Sequence, residues 1–167
     1  MIRAKKSLGQ NFLIDEKVLK QIVNSVEVEN KTILEIGPGT GNLTKHILNK
    51  KPKKFTVIEK DNDLINNLKD QFNENLNIIN DDVLNIDENL LFKEKVIVFG
   101  NLPYNISTEI LSKWIINLGN DFWFENLVLM FQKEVADRII ARHNNSNYGR
   151  LSILANWKLI IKKICDI

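Results

Sequence analysis

The stretch Phe99-Gly100-Asn101-Leu102-Pro103-Tyr104-Asn105 carries the residue types best suited to chemistry on a flat heterocycle with an exocyclic amine. The Asn101 amide oxygen and a nearby backbone carbonyl can accept the two N–H bonds of such an amine, while the Tyr104 ring offers a π face on which the heterocycle stacks. Pro103 fixes its own φ, has no N–H to donate, and biases Leu102 toward extended geometry. That combination predicts a strand ending at Phe99, with the carbonyls beyond it pointing away from any sheet neighbour. A strand-to-helix turn with a capping Asn would use the same residues, so the stretch acquires meaning from what lies upstream.

Three upstream features fall at the ends of apolar runs. Glu35-Ile36-Gly37-Pro38-Gly39-Thr40-Gly41 follows a β-rich run, and its glycines let the backbone approach a ligand closely before a helix with free N–H groups begins. A tight strand-to-helix turn has the same composition. Glu59 ends the next run, where a carboxylate can accept both hydroxyls of a ribose or simply face solvent in a Glu-Lys-Asp turn. Asp81 and Asp82 follow the third run. A carboxylate there can accept from an adenine amino group, and the spacing leaves open which of the two points inward. In open α/β sheets ligands bind outside the carboxyl ends of the strands, where all four stretches map.

The elements that must position these residues alternate between strand and helix. The periodicity predicts an irregular start over 1–14, a helix over 15–26 (Val18, Leu19, Ile22, Val23 and Val26 on one face), and strands at Thr32–Ile36, Phe55–Ile58, Leu76–Ile79, Val96–Phe99 and Leu127–Phe131. Further helices carry Leu43, Ile47 and Leu48, with Asn42 as N-cap; Leu64, Ile65, Leu68 and Phe72; Ile110, Leu111, Trp114, Ile115 and Leu118, capped by Ser107; and Val135, Ile139 and Ile140. Residues 83–94 read as a loop with one helical turn and 143–147 as a polar loop. A short helix from Leu151 and an apolar run, Leu159–Ile167, that forms a sixth strand close the chain. The pattern is that of a mostly parallel sheet with helices on both faces.

Composition bounds the rest. The 167 residues suit one domain, and 44% hydrophobic and 26% charged residues are ordinary for a soluble globular chain. Cys165 is the single cysteine, and His46 and His143 stand far apart, so neither a disulfide framework nor a metal site is expected. No apolar run is long enough to span a bilayer and no signal-peptide core follows the basic start, so the expected location is cytoplasmic, without membrane contact. Net charge is only +2, but the positive residues clump at Arg3, Lys5 and Lys6; at Lys50, Lys51, Lys53 and Lys54; at Arg138, Arg142 and Arg150; and at Lys158, Lys162 and Lys163. Each such clump alone is more often a solvated surface than a phosphate site, though together they would suit an RNA backbone.

Taken in order, glycine loop, ribose acid, adenine acid and Asn-Leu-Pro-Tyr make the chain resemble the small-subunit ribosomal RNA adenine dimethyltransferases of the KsgA/RsmA type. The resemblance runs through Lys6–Leu13, Glu35–Gly41, Asn101–Thr108, Gln132–Arg138 and Tyr148–Ser152. It implies a Rossmann-like class I fold that uses S-adenosylmethionine to convert two adjacent adenines near the 3′ end of small-subunit rRNA, within an immature subunit, to N6,N6-dimethyladenosine. It further implies donor-site roles for Asn11, Leu13, Gly37, Gly39, Glu59, Asp82 and Asn101. Catalytic roles fall to Asn101, to the Pro103 carbonyl as acceptor of the target amine, and to Tyr104 as stacking platform. Residues 1–167 would form the catalytic domain, without the helical C-terminal domain usual in the family. The resistance-type methylases of large-subunit rRNA share Asn101–Ser107, but the stretches at Ser7–Leu13 and Tyr148–Ser152 are more like the small-subunit type. Leu102 stands where DNA adenine and protein glutamine methylases usually have Pro. A factor that keeps the fold and binds RNA without turnover is the remaining alternative.

Overall fold

The structure, a computed structural model, describes residue 5, residues 9–117 and residues 122–167. Leu118, expected on a helix face, lies outside them. Five strands form one wholly parallel sheet: β1 (Thr32–Ile36), β2 (Lys54–Glu59), β3 (Asn77–Asn80), β4 (Val96–Asn101) and β5 (Phe124–Met130), in the order β3-β2-β1-β4-β5. Parallel sheets bury both faces, which explains the unbroken apolar runs; every residue of β1 is buried. Alternate residues feed two cores. Ile33, Phe55, Val57, Ile97 and Phe99 meet α1 (Glu16–Val23) and α2 (Asn42–Leu48) on one face. Leu34, Ile36, Ile58, Val96 and Val98 meet α5 (Ser107–Ile116) on the other. α3 (Asn62–Phe72) and the single turn α4 (Glu88–Leu91) lie within the β2–β3 and β3–β4 connections, and α6 (Lys133–Ile140) and α7 (Arg150–Lys158) follow β5. The expected α/β fold is therefore the one observed. No helix among the described residues is long and apolar enough to cross a membrane.

The departures from expectation have local causes. β4 does not end at Phe99; its ladder runs on through Gly100, opposite Leu129, and Asn101, opposite Met130. Gly100 has no side chain, and the space beside it holds Leu102, whose Cδ2 lies 2.8 Å from where a Cβ would stand. β5 begins at Phe124, because Glu125 and Asn126 are polar residues of an exposed edge, and a bulge opposite Val96 and Ile97 absorbs the register shift. α1 stops at Val23, where Ser25 returns both its N–H and its hydroxyl to the Ile22 carbonyl. Residues 83–94 contain a 3-10 turn (Val83–Asn85) as well as α4.

Neither predicted cap is the cap. Gly41, at φ 85°, occupies the N-cap of α2, and the Asn42 side chain instead donates to the Leu13 carbonyl (2.8 Å). Ile106 precedes α5, and Ser107 donates back to the Tyr104 carbonyl (3.4 Å). The sixth strand also does not form. Residues 159–167 hold no regular structure because their side chains anchor in different clusters: Leu159 and Ile161 against α5 and α7, and Ile164 on the α1 side, where Gln21 donates to its carbonyl (3.1 Å).

Glu35 is the one carboxylate inside β1, 1% exposed and held by the Thr44 hydroxyl of α2 at 2.7 Å. Burial pushes its carboxyl up to about 8, against the pull of the Thr44 hydrogen bond and with help from the Glu59 charge. The folded chain therefore keeps a proton that the unfolded chain releases above its ordinary pKa of 4.5. Stability falls as pH rises between those two values, by at most about 1.4 kcal/mol per pH unit, and this contribution is level below and above them. Glu35→Gln should flatten the dependence: between pH 5.5 and 7.5 its melting temperature should drop less than that of the wild type, and parallel melting curves for the two proteins would refute a protonated Glu35.

Candidate functional site

The chain builds β1, β2 and β3 outward in one direction, then crosses back to lay β4 on the other side of β1. The crevice at such a reversal is where a parallel sheet can admit a ligand. Here it joins the two loops that sequence made most informative. Ile36 pairs with Gly100, and a Cβ on Gly37 would come within 3.3 Å of the Asn101 carbonyl. A cavity opens at this point, and Asn11, Leu13, Gly37, Gly39, Glu59, Asp82, Asn101 and Pro103 all line it. Tyr104 is half-buried just outside, attached to the site through its hydroxyl.

The glycine loop is pinned at its ends: Gly37 donates to Ile58 and Gly41 to Pro38, both at 3.0 Å. Between them Gly39, at φ 59°, packs against the Phe12 ring so closely that a Cβ would stand 3.0 Å from it. Its N–H faces Glu59 Oε2 at 3.4 Å, while Glu59 Oε1 accepts from the N–H groups of Lys60 and Asp61, each at 2.9 Å. Burial raises the Glu59 carboxyl above its ordinary pKa, and the three backbone donors oppose that rise. Oε2, with one long bond, retains capacity for a hydroxyl pair.

Asp82 and Asp81 both border the cavity. Asp82 is the more enclosed; its Oδ1 caps the 3-10 turn at Leu84 N–H (3.0 Å) and its Oδ2 pairs with the Lys60 ammonium (2.8 Å). The Lys60 hydrogen bond holds the Asp82 carboxyl below its ordinary range. Asp81 is exposed and turns one oxygen onto the Asp82 N–H (2.7 Å).

On the β4 side, Leu102 (1% exposed) nails the loop to the core and leaves Asn101 and Pro103 at the cavity wall. The Asn101 Nδ2 donates to the Asn11 carbonyl at 2.5 Å. A carbonyl can only accept, so this contact fixes which end of the amide is which and leaves Oδ1 as the acceptor. Asn11 in turn donates its own Nδ2 to the Tyr104 hydroxyl (2.7 Å). The Pro103 carbonyl accepts from Ile106 N–H (3.1 Å) and keeps a second lone pair.

Sequence reading missed Lys5, Gln10 and Asp61. The Asp61 carboxylate is buried and accepts from the Lys5 ammonium (2.8 Å) and from Gln10 Nε2 (3.0 Å), as well as from Asp63 N–H (3.1 Å). Only the last of these, a helix N-cap, leaves a local signal. Among the described residues, two of the basic clumps lie away from the cavity. Lys53 and Lys54 sit at the opposite end of β2, and Lys53 pairs with Glu94 (2.8 Å). Arg138, Arg142 and Arg150 are exposed around the α6–α7 connection. His46 pairs with Glu16 (3.1 Å), and no metal-binding cluster of His, Cys, Asp or Glu occurs among the described residues.

Known proteins match this arrangement along nearly its whole length. The family model described as "Ribosomal RNA adenine dimethylase" matches residues 1–166. The chain is 65% identical over 166 residues to "Ribosomal RNA small subunit methyltransferase A" of Pelagibacter ubique, covering 99% of this chain and 63% of that protein. It thus spans less than two-thirds of the length of that curated relative. Among solved structures it superposes on a dimethyladenosine transferase from Plasmodium falciparum with a TM-score of 0.80 at 31% identity, over 93% of this chain and 55% of the other. It superposes on the 23S rRNA methyltransferase ErmE with a TM-score of 0.68 at 27% identity, over 87% and 55%. The chain belongs to the ribosomal RNA adenine dimethylase family.

Proposed function

We propose that residues 1–167 form a catalytic domain that uses S-adenosylmethionine to dimethylate N6 of two adjacent adenines near the 3′ end of small-subunit rRNA, acting in the cytoplasm on an immature subunit. The observation that carries this reading is the orientation of the Asn101 amide: its NH2 end is committed to the Asn11 carbonyl, and its oxygen is left as an acceptor beside the glycine loop.

The residues present suit the donor. Glu59 Oε2 would take the ribose hydroxyls, Asp82 the adenine amino group, and the backbone of Gly37 and Gly39 the close approach of the nucleoside. Leu13 and Asn11 would close the cavity from above. The donor, when bound, supplies an activated sulfonium methyl. The domain must then align and reshape the acceptor, whose lone pair is spread into its own ring. In the first transfer Asn101 Oδ1 and the Pro103 carbonyl would each hold one N–H of the target amine, drawing the lone pair out of the ring plane toward the donor side; in the second, the monomethylated amine has one N–H left, for one of these two acceptors. Alignment of this kind can lower a barrier by about 7–11 kcal/mol. Neither residue needs to act as a strong base, because the nitrogen becomes acidic once it has been methylated. Tyr104 would stack on the extruded base, offsetting its unstacking by about 1–3 kcal/mol.

Asn101→Ala should cost about a hundredfold or more in turnover with the fold intact. Near-normal turnover in a methyl-transfer assay on unmethylated small subunits would contradict the clamp. Label appearing on large subunits instead would favour the resistance-type reading, and donor binding without label on either would favour a non-catalytic factor. At Tyr104 the ring and the hydroxyl make separable contributions. Tyr104→Phe should keep turnover within a few-fold, whereas Tyr104→Ala should lose turnover by more than it loses donor affinity. Calorimetry showing equal losses for Tyr104→Ala would rule out the stacking role.

A further inference from the structure

We propose that Asp61 is a positioning residue that latches Lys5 and the strap Gly9–Leu13 across the cavity, and through the strap sets the Asn101 amide and the Tyr104 ring. The inference rests on the donor and clamp reading above and adds to it a residue that touches neither ligand.

Asp61 needs only one donor to cap α3, and Asp63 N–H supplies it at 3.1 Å. The carboxylate nevertheless gathers two more, both from the N-terminal stretch: the Lys5 ammonium on the same oxygen and Gln10 Nε2 on the other. Gln10 also accepts from the Lys5 backbone N–H with its own Oε1 (2.8 Å), so the three residues form one connected unit, and the half-exposed Lys5 ammonium reaches the exposed Asp63 carboxylate as well (2.8 Å). The Asp61 side chain is only 4% exposed. Breaking such a pair strands a desolvated charge, unlike a surface pair, which contributes little. Burial alone would raise the Asp61 carboxyl, but Lys5, Gln10 and the Asp63 N–H outweigh it and hold the group below its ordinary range, so it is ionised as a latch requires.

The unit lies one residue from the clamp. Beyond Gln10, the Asn11 carbonyl receives Asn101 Nδ2, and the Asn11 amide is bonded to the Tyr104 hydroxyl. Phe12 lies on Gly39, and Asn42 secures the far end of the strap at the Leu13 carbonyl. On its other side Asp61 gives its N–H to Glu59 Oε1, the partner oxygen of the one assigned to the ribose. Asp61 thus ties the donor acid to the strap and the strap to the target clamp. A donor entering beneath the strap would bind tightly only with the latch closed.

Asp61→Asn keeps the shape of the side chain and its capping ability, since Asn is as good an N-cap as Asp. Lys5→Met removes the charge from the partner and keeps its length. With the full chain, binding of S-adenosylhomocysteine by calorimetry and hydrogen exchange at residues 9–13 are the readouts. Each variant should bind about tenfold more weakly. The double variant should be no weaker than Asp61→Asn alone, and exchange at 9–13 should quicken in the ligand-free chain while β1 and β4 stay protected. Variants that bind like the wild type, losses that add as if independent, or unchanged exchange at 9–13 would overturn the latch and leave the donor reading standing. A wild-type chain that does not bind S-adenosylhomocysteine would overturn that reading and this proposal together.

Discussion

The hydrogen bond from Asn101 Nδ2 to the Asn11 carbonyl is the interaction on which the rest of the site depends. An asparagine amide left to itself presents an acceptor and a donor with nearly equal ease. A fixed backbone carbonyl on one side commits the NH2 end and leaves the oxygen as the acceptor, the end that the proposed target amine would need. The bond also explains why an irregular N-terminal stretch accompanies an otherwise regular sheet. Gly9 sits so close to Tyr104 and Asn105 that a side chain there would collide with the Asn105 amide, and φ 63° suits no other residue as well. The stretch forms part of the cavity wall and keys into the loop after β4.

Besides the exposed Asp81, four carboxylates surround or underlie the cavity, and their environments separate them. Glu35 is sealed beneath the glycine loop, with one hydroxyl partner, and holds a proton. Glu59 is buried but met by three backbone N–H groups, which temper its rise. Asp61 and Asp82 each have a lysine and sit below their ordinary range. Carboxyls shifted up and carboxyls shifted down therefore coexist within neighbouring loops. Lys60, whose ammonium is taken up by Asp82, also borders the cavity. The sheet reversal places β1 and β4 side by side, so that the glycine loop and the loop after β4 share one crevice.

The sheet was legible because a parallel sheet buried on both faces writes itself as apolar runs; Thr32–Ile36 comes out at the observed boundaries. The edges were less legible: Glu125 and Asn126 are polar and hide the start of β5, and β3 runs one residue later than expected, ending on the polar Asn80. The caps failed for a different reason. Asn42 and Ser107 have the right chemistry, but the Asn42 side chain turns to a tertiary partner, the Leu13 carbonyl, and the Ser107 hydroxyl to a local one, the Tyr104 carbonyl three residues back. The glycine loop, Glu59, Asp82 and Asn101 could be named from their places at the strand ends, and Asn11 and Leu13 only from the family resemblance. Asp61 could not, because its partners Lys5 and Gln10 are joined to it only through the fold.

A crystal structure of the chain with S-adenosylhomocysteine tests the central claim most directly. The account predicts the nucleoside in the crevice between the glycine loop and the strap, its ribose on Glu59, and the Asn101 amide still tied to the Asn11 carbonyl with its oxygen turned to the open side. A molecule bound elsewhere, or an Asn101 side chain released from Asn11 and pointing away from the ligand, would contradict it.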